Sequence, residues 1–326
     1  MRVSTYREVA TLVLLGLGLT GGRLIAQVQA DPDGGVVHQA LMLENYGKPY
    51  ILVTINGRGP FRFVIDTGTG GDALVTPALA NELGLLPAGQ TVLSDPSGQG
   101  GKKVPVVLID SLRFAGIEFR GIRAVSHPFF SEAGTCDGLL GFTLFRDYLL
   151  TLDFPNRRVE LSKGALVPDG EKTVLPFRMP AGVPITGLNI DGLSAVEAQL
   201  DSGGGGLVFP EKLAEHLKYD ISPVAYATGW SVSTRFELKA AKLASDVKLG
   251  RYTFTHPVVE IHPAFPLVIF GSPPMQIFAI TFDQKNLLVR FESNKRRFSL
   301  NAPSYPTRLT NAPELAPTNE ALVPVG

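Results

Sequence analysis

The chain has 326 residues, 44% hydrophobic and 18% charged, with a formal net charge of zero. That composition suits a folded protein with a large core and excludes a disordered one. With no basic excess and no basic aromatic patch, nucleic acid is excluded as a partner. Gly and Pro number 35 and 25, so turns should be many and long helices few.

The first segment stands apart. Arg2 and Arg7 precede an apolar run over residues 9–19, and Val28-Gln29-Ala30 closes the segment. A charged start, a short apolar middle and a small-x-small end predict a signal peptide over residues 1–30, hence an exported protein, periplasmic or secreted. The apolar run is about a dozen residues, too short to span a bilayer comfortably, so no membrane span should remain after signal cleavage. An uncleaved N-terminal anchor is the alternative. Gly16-Leu17-Gly18-Leu19-Thr20-Gly21 fits the G-x-G-x-x-G dinucleotide string but lacks the strand before it and the helix after it. Cys136 is the single cysteine, which leaves no internal disulfide; it reads as a small buried hydrophobe.

The rest reads as one unit written twice. Residues 50–85 align with 185–219 at an offset of 135, which carries Gly57 onto Gly192, Asp66 onto Asp201 and Gly68 onto Gly203. Residues 141–161 align with 271–291 at an offset of 130, which carries Gly141 onto Gly271 and Asp153 onto Asp283. A period this long means two lobes, not a solenoid. Residues 31–163 form the first lobe, 164–184 the connection and 185–300 the second lobe. Each lobe reads mostly as strands: Phe61, Phe63 and Ile65 alternate with Arg62 and Val64, and residues 104–109, 145–152 and 159–161 also suit strands. Asn56-Gly57, Asp191-Gly192 and Ser97-Gly98 mark turns. One short helix is predicted per lobe. In the first, Thr76 caps it, Pro77 opens it and Gly84 ends it; in the second, Pro210 opens it and it runs to about Leu217. Residues 301–326, with five prolines, read as a disordered tail.

Each lobe places an Asp at the end of an apolar strand, before a hydroxyl residue and a glycine: Asp66-Thr67-Gly68 and Asp201-Ser202-Gly203. One such tripeptide is ordinary turn chemistry. Two at equivalent positions of packed halves can meet near a local twofold axis. Two carboxylates so close cannot both ionise easily, so one keeps a proton. The ionised one can take a proton from water while the neutral one hydrogen-bonds an amide carbonyl. The glycines let the backbone turn tightly, and the Thr67 and Ser202 hydroxyls can bond across the lobe interface.

With apolar-Asp-Thr/Ser-Gly in both halves, and Leu139-Leu140-Gly141 and Ile269-Phe270-Gly271 downstream, the sequence resembles the pepsin-like and retropepsin-like aspartic peptidases, above all their exported bacterial members. The resemblance covers residues 37–300. It implies an all-β acid protease fold of two β-barrel-like lobes related by a pseudo-twofold axis, in which each apolar-apolar-Gly segment threads beside a catalytic loop. It implies that Asp66 and Asp201 are the catalytic dyad of an endopeptidase, with Thr67, Gly68, Thr69, Ser202 and Gly203 as loop support. Two departures from the family pattern stand out. The hydroxyl residue that follows the motif is Thr69 in the first half, but Gly204 takes its place in the second. This favours Asp66 as the ionised base and Asp201 as the proton holder. The first flap, over residues 93–107, has no aromatic residue and a glycine-rich, basic tip at 97–103, whereas Trp230 lies near the second flap and is a candidate substrate contact or a core residue.

The two halves supply both aspartates, so a monomer suffices, acting on a peptide or protein substrate with no metal or organic cofactor. The rival expectation is an inactive lobe pair that grips a peptide or glycan. His38, His127, His216, His256 and His262 show no metal-ligand spacing, and neither H-E-x-x-H nor G-x-S-x-G occurs. Asp153 and Asp283 precede turns and are assigned to structure, and Asp72 has no counterpart.

Overall fold

The computed structural model describes residues 28–30, 36–45, 47–93, 101–128, 136–191, 193–230, 235–263 and 265–301. The expectations for residues 1–27, for residues 97–100 of the first flap tip and for the tail from 302 onward lie outside the described residues. The protein is mostly strand, with 56% strand and 9% helix.

Among the described residues the strands form three sheets. The first runs Leu43–Asn45, Lys48–Ile55, Arg58–Asp66, Gly138–Gly141, Ala73–Val75, Ile117–Ser126, Lys102–Phe114 and Leu86–Leu93. The second contains, in order, Ile185–Ile190, Leu193–Leu200, Val268–Phe270, Leu207–Pro210, Val258–His262, Arg235–Leu243 and Tyr219–Trp230. From Lys48–Ile55 onward, the first sheet and this stretch of the second have the same strand order. The pairing senses also match: Arg58–Asp66 is parallel to Gly138–Gly141, as Leu193–Leu200 is to Val268–Phe270. Likewise Ala73–Val75 is parallel to Ile117–Ser126, as Leu207–Pro210 is to Val258–His262. The other neighbours among these strands are antiparallel.

The third sheet draws strands from both parts of the chain. Val28–Ala30, Val36–Leu41, Arg158–Ser162 and Leu149–Asp153 continue into Ala279–Asp283, Leu288–Glu292 and Val174–Pro176. At the junction Leu149–Asp153 lies antiparallel to Ala279–Asp283, with Thr151 opposite Thr281 and their hydroxyls 2.9 Å apart. Nearby, Phe142 packs edge-on against Phe282 at 5.1 Å between ring centres. Leu149–Asp153 and Ala279–Asp283 therefore join in one continuous sheet.

Helix α1 (Pro77–Leu83) forms where capping chemistry predicts it: the Thr76 hydroxyl accepts from the Leu79 N–H, and Gly84 ends the helix in the left-handed region. Helix α2 (Glu211–Ala214) is a single turn, shorter than the expected run to Leu217. Pro210 is held in a strand opposite His262 and offers no capping oxygen, and the chain after Ala214 tightens through three-residue backbone bonds at His216 and Leu217. His216 is exposed beyond the helix. A third short helix, α3 (Ser272–Met275), and a 3-10 turn at Phe142–Phe145 were not expected. That turn displaces the predicted start of the 145–152 strand to Leu149, because the chain must reverse after Gly141 and does so through bonds from Arg146 N to Thr143 O and from Tyr148 N to Phe145 O. Asp153 and Asp283 accept from the backbone N–H groups of Asn156 and Asn286, which fixes the two hairpin turns of the third sheet.

Candidate active site

Phe61 to Ile65 alternate in sequence, but Phe63, Val64, Ile65 and Asp66 are all buried. Both edges of this strand are paired, to Lys48–Ile55 and to Gly138–Gly141, and the burial of four consecutive residues shows that both faces of its end are covered. Gly141 stands opposite Asp66 in the parallel pairing. Its N–H donates to Asp72 O, and Phe142 N donates to Thr69 O. In the second sheet Leu193–Leu200 ends just before Asp201, whose N–H donates to Phe270 O at 3.0 Å. Gly271 N donates to Gly206 O and Ser272 N to Gly204 O. Each apolar-apolar-Gly segment thus braces the loop that carries an aspartate.

The two loops lock together. Thr67 Oγ1 donates to Leu200 O at 2.7 Å and accepts from Ser202 N at 2.9 Å. Ser202 Oγ donates to Ile65 O at 2.7 Å and accepts from Thr67 N at 3.0 Å. Every bond has its counterpart at an offset of 135 residues, and both hydroxyls are fully buried. Thr67→Val keeps the side-chain shape but leaves Leu200 O and Ser202 N without these partners. It should cost about 2–4 kcal/mol, one to two buried unsatisfied groups, read as a lower midpoint in denaturant unfolding with an unchanged slope.

Gly68 and Gly203 are held against the opposing carboxyl groups: a Cβ on Gly68 would collide with the Asp201 carboxyl, and one on Gly203 with that of Asp66. The structure therefore brings Asp66 and Asp201 together with all five loop residues named from sequence. Asp66 is 3% exposed and Asp201 6%. Asp66 accepts from Gly68 N at 2.9 Å and from Thr69 Oγ1 at 3.0 Å. Asp201 accepts from Gly203 N at 2.9 Å and from the backbone at Gly204, with no hydroxyl at that position. Burial, then the Asp66 charge, push the Asp201 carboxyl up to about 8, while Lys48 pulls it back.

Other predicted positions fall elsewhere. Trp230 ends its strand opposite Arg235 in the second hairpin, and its side chain lies outside the described residues. Leu86–Leu93 and Lys102–Phe114 form the first hairpin. Asp72 anchors the 3-10 turn, accepting from Thr143 Oγ1 at 2.7 Å and from the Arg146 guanidinium. Cys136 is buried, which raises its thiol to about 11. Lys48, buried beside the aspartates, was missed by sequence reasoning. It is one lysine between Gly47 and Pro49, with no periodicity or motif around it.

The aspartyl protease family model matches residues 51–144, a stretch that contains Asp66 and Gly141 and stops before Asp201. No curated protein matches the sequence significantly. Among the described residues no helix is long and apolar enough to cross a membrane.

Proposed function

We propose that the protein is an aspartic endopeptidase built from two duplicated lobes about a pseudo-twofold axis, with Asp66 and Asp201 as its dyad. The observation that carries this reading is the cross-contact of the two loops, in which each glycine lies against the other loop's carboxyl group. The matching strand orders and the aspartyl protease match around Asp66 support it.

In this mechanism a water lies between the carboxyl groups. Asp66, furnished with the Thr69 hydroxyl, is the ionised base and takes a proton as the water oxygen attacks the scissile carbonyl carbon. Asp201, neutral near pH 7, donates a hydrogen bond to the carbonyl oxygen and stabilises the tetrahedral intermediate. When the C–N bond breaks, the proton held by Asp66 passes to the leaving nitrogen, giving a free amine and a carboxylic acid. Peptide-library digestion across pH, with Asp66→Asn as control, tests the reading. A protein that binds peptides equally well with either residue and cleaves none is the inactive binding protein instead.

The charged start, short apolar run and small-x-small end of residues 1–30 support a further part of this proposal, an exported monomer matured by cleavage after residue 30. Such cleavage removes the Val28–Ala30 edge strand but leaves Val36–Leu41 paired to Arg158–Ser162. The intact mass of protein recovered from the periplasm or medium of a bacterial host should correspond to a chain starting at Asp31. Full-length protein retained in the cytoplasm refutes export.

A further inference from the structure

Lys48 is 9% exposed, a burial that lysine rarely tolerates without a charge partner. In the antiparallel pairing of Lys48–Ile55 with Arg58–Asp66, Tyr50 faces Val64 and Ile51 faces Phe63. That ladder ends at Tyr50 and Val64, and Lys48 and Asp66 each lie two residues beyond it. Lys48 pairs on its other edge with Asn45, and it is buried close enough to Asp66 and Asp201 to feel both charges. The preceding residue is held from the other loop's side: Gly47 O accepts from Ser272 Oγ and from Gln276 Nε2 at the start and end of α3, and Ser272 N in turn donates to Gly204 O beyond Asp201. One short helix thus ties the Lys48 strand to the Asp201 loop.

We propose that Lys48 is a positioning residue for the dyad, whose ammonium holds the two carboxyl groups in the singly protonated state by making that state electrically neutral. This rests on the peptidase reading of the site. With Lys48 charged, the cluster carries a net charge of −1 when both aspartates are ionised, zero when they share one proton and +1 when both are protonated. A buried site penalises net charge. Without the ammonium, the neutral state would be the doubly protonated one, which has no base. Burial lowers the Lys48 pKa, and against it Asp66 and then Asp201 favour the charged form. Cys136 stays a neutral thiol, and Asp137 and Arg62, next to it, carry opposite charges.

The test compares wild type, Lys48→Met and Lys48→Arg by the pH profile of kcat/KM on a cleaved fluorogenic peptide and by ¹³C NMR titration of the aspartate carboxyls. Loss of the cation should move both limbs of the profile, and both carboxyl titrations, to higher pH by about one pH unit. Lys48→Arg should restore most of the shift. A folded Lys48→Met protein whose carboxyl titrations stay in place, or move to lower pH, overturns the proposal. The titrations need no turnover. If they shift in a protein that cleaves nothing, Lys48 keeps its role and the peptidase reading fails. If Lys48→Met does not fold, the reciprocal measurement decides. The Lys48 ¹⁵Nζ titration, assigned by its loss in Lys48→Arg, should fall in Asp66→Asn and in Asp201→Asn. An unchanged value in both overturns the proposal.

Discussion

Replacing either Asp66 or Asp201 with Asn should lower kcat/KM for a cleaved peptide by at least about 10³-fold, near the upper range of a positioned acid or base. In Asp66→Asn the new amide cannot accept the water proton. In Asp201→Asn the amide can still point a donor at the carbonyl, but it cannot exchange a proton, and it removes the charge competition that shapes its partner. The two carboxyls work as one unit across the Thr67–Ser202 interlock. The double variant should therefore be little worse than either single one, since residues that act together are not additive. Both singles should keep their circular dichroism and, for Asp66→Asn, peptide affinity. Residual activity within about tenfold of wild type in Asp66→Asn would remove the general-base role and with it the proposed mechanism.

Local chemistry was the most legible part of the sequence. The α1 boundaries follow from Thr76, Pro77 and Gly84 because capping is decided within a few residues. Asp66 and Asp201 were legible for a different reason: their tripeptides repeat at a fixed offset, and so do the hydroxyls that interlock them. Tertiary pairing was not legible. The 3-10 turn at Phe142–Phe145 and the truncated α2 are set by where neighbouring strands leave the chain. The shared third sheet joins Thr151 to Thr281, a contact that no local pattern encodes. Lys48 was invisible for the same reason. Gly47 and Pro49 beside it carry no motif, whereas the tie from Gly47 to Ser272 and Gln276 holds it inward beside the two carboxyl groups.

Asp201→Asn should be more stable than the wild type at neutral pH, with a margin that grows as pH rises. The folded protein holds the Asp201 carboxyl at about 8 against 3.8 for the ordinary group, through burial first and the Asp66 charge second. Between those values the native state binds a proton that the unfolded chain has released. The slope of unfolding free energy with pH, set by protons bound in the unfolded minus the native state, is therefore negative for this group. Its contribution is fully present below about pH 4 and is lost as pH rises toward 8, at about 1.4 kcal/mol per pH unit. Asn has the shape of the neutral acid and nothing to ionise, so it removes this slope. Denaturant unfolding of the two proteins at pH 4.5, 6 and 7.5 should show curves that nearly coincide at the acid end and diverge toward neutrality, with the variant above. The dyad titrates as a pair, so the divergence belongs to the site rather than to one oxygen. A constant offset across that range would mean that Asp201 enters the native state already ionised. The acid that donates to the carbonyl oxygen in the proposed mechanism would then be lost, leaving two bases facing one water.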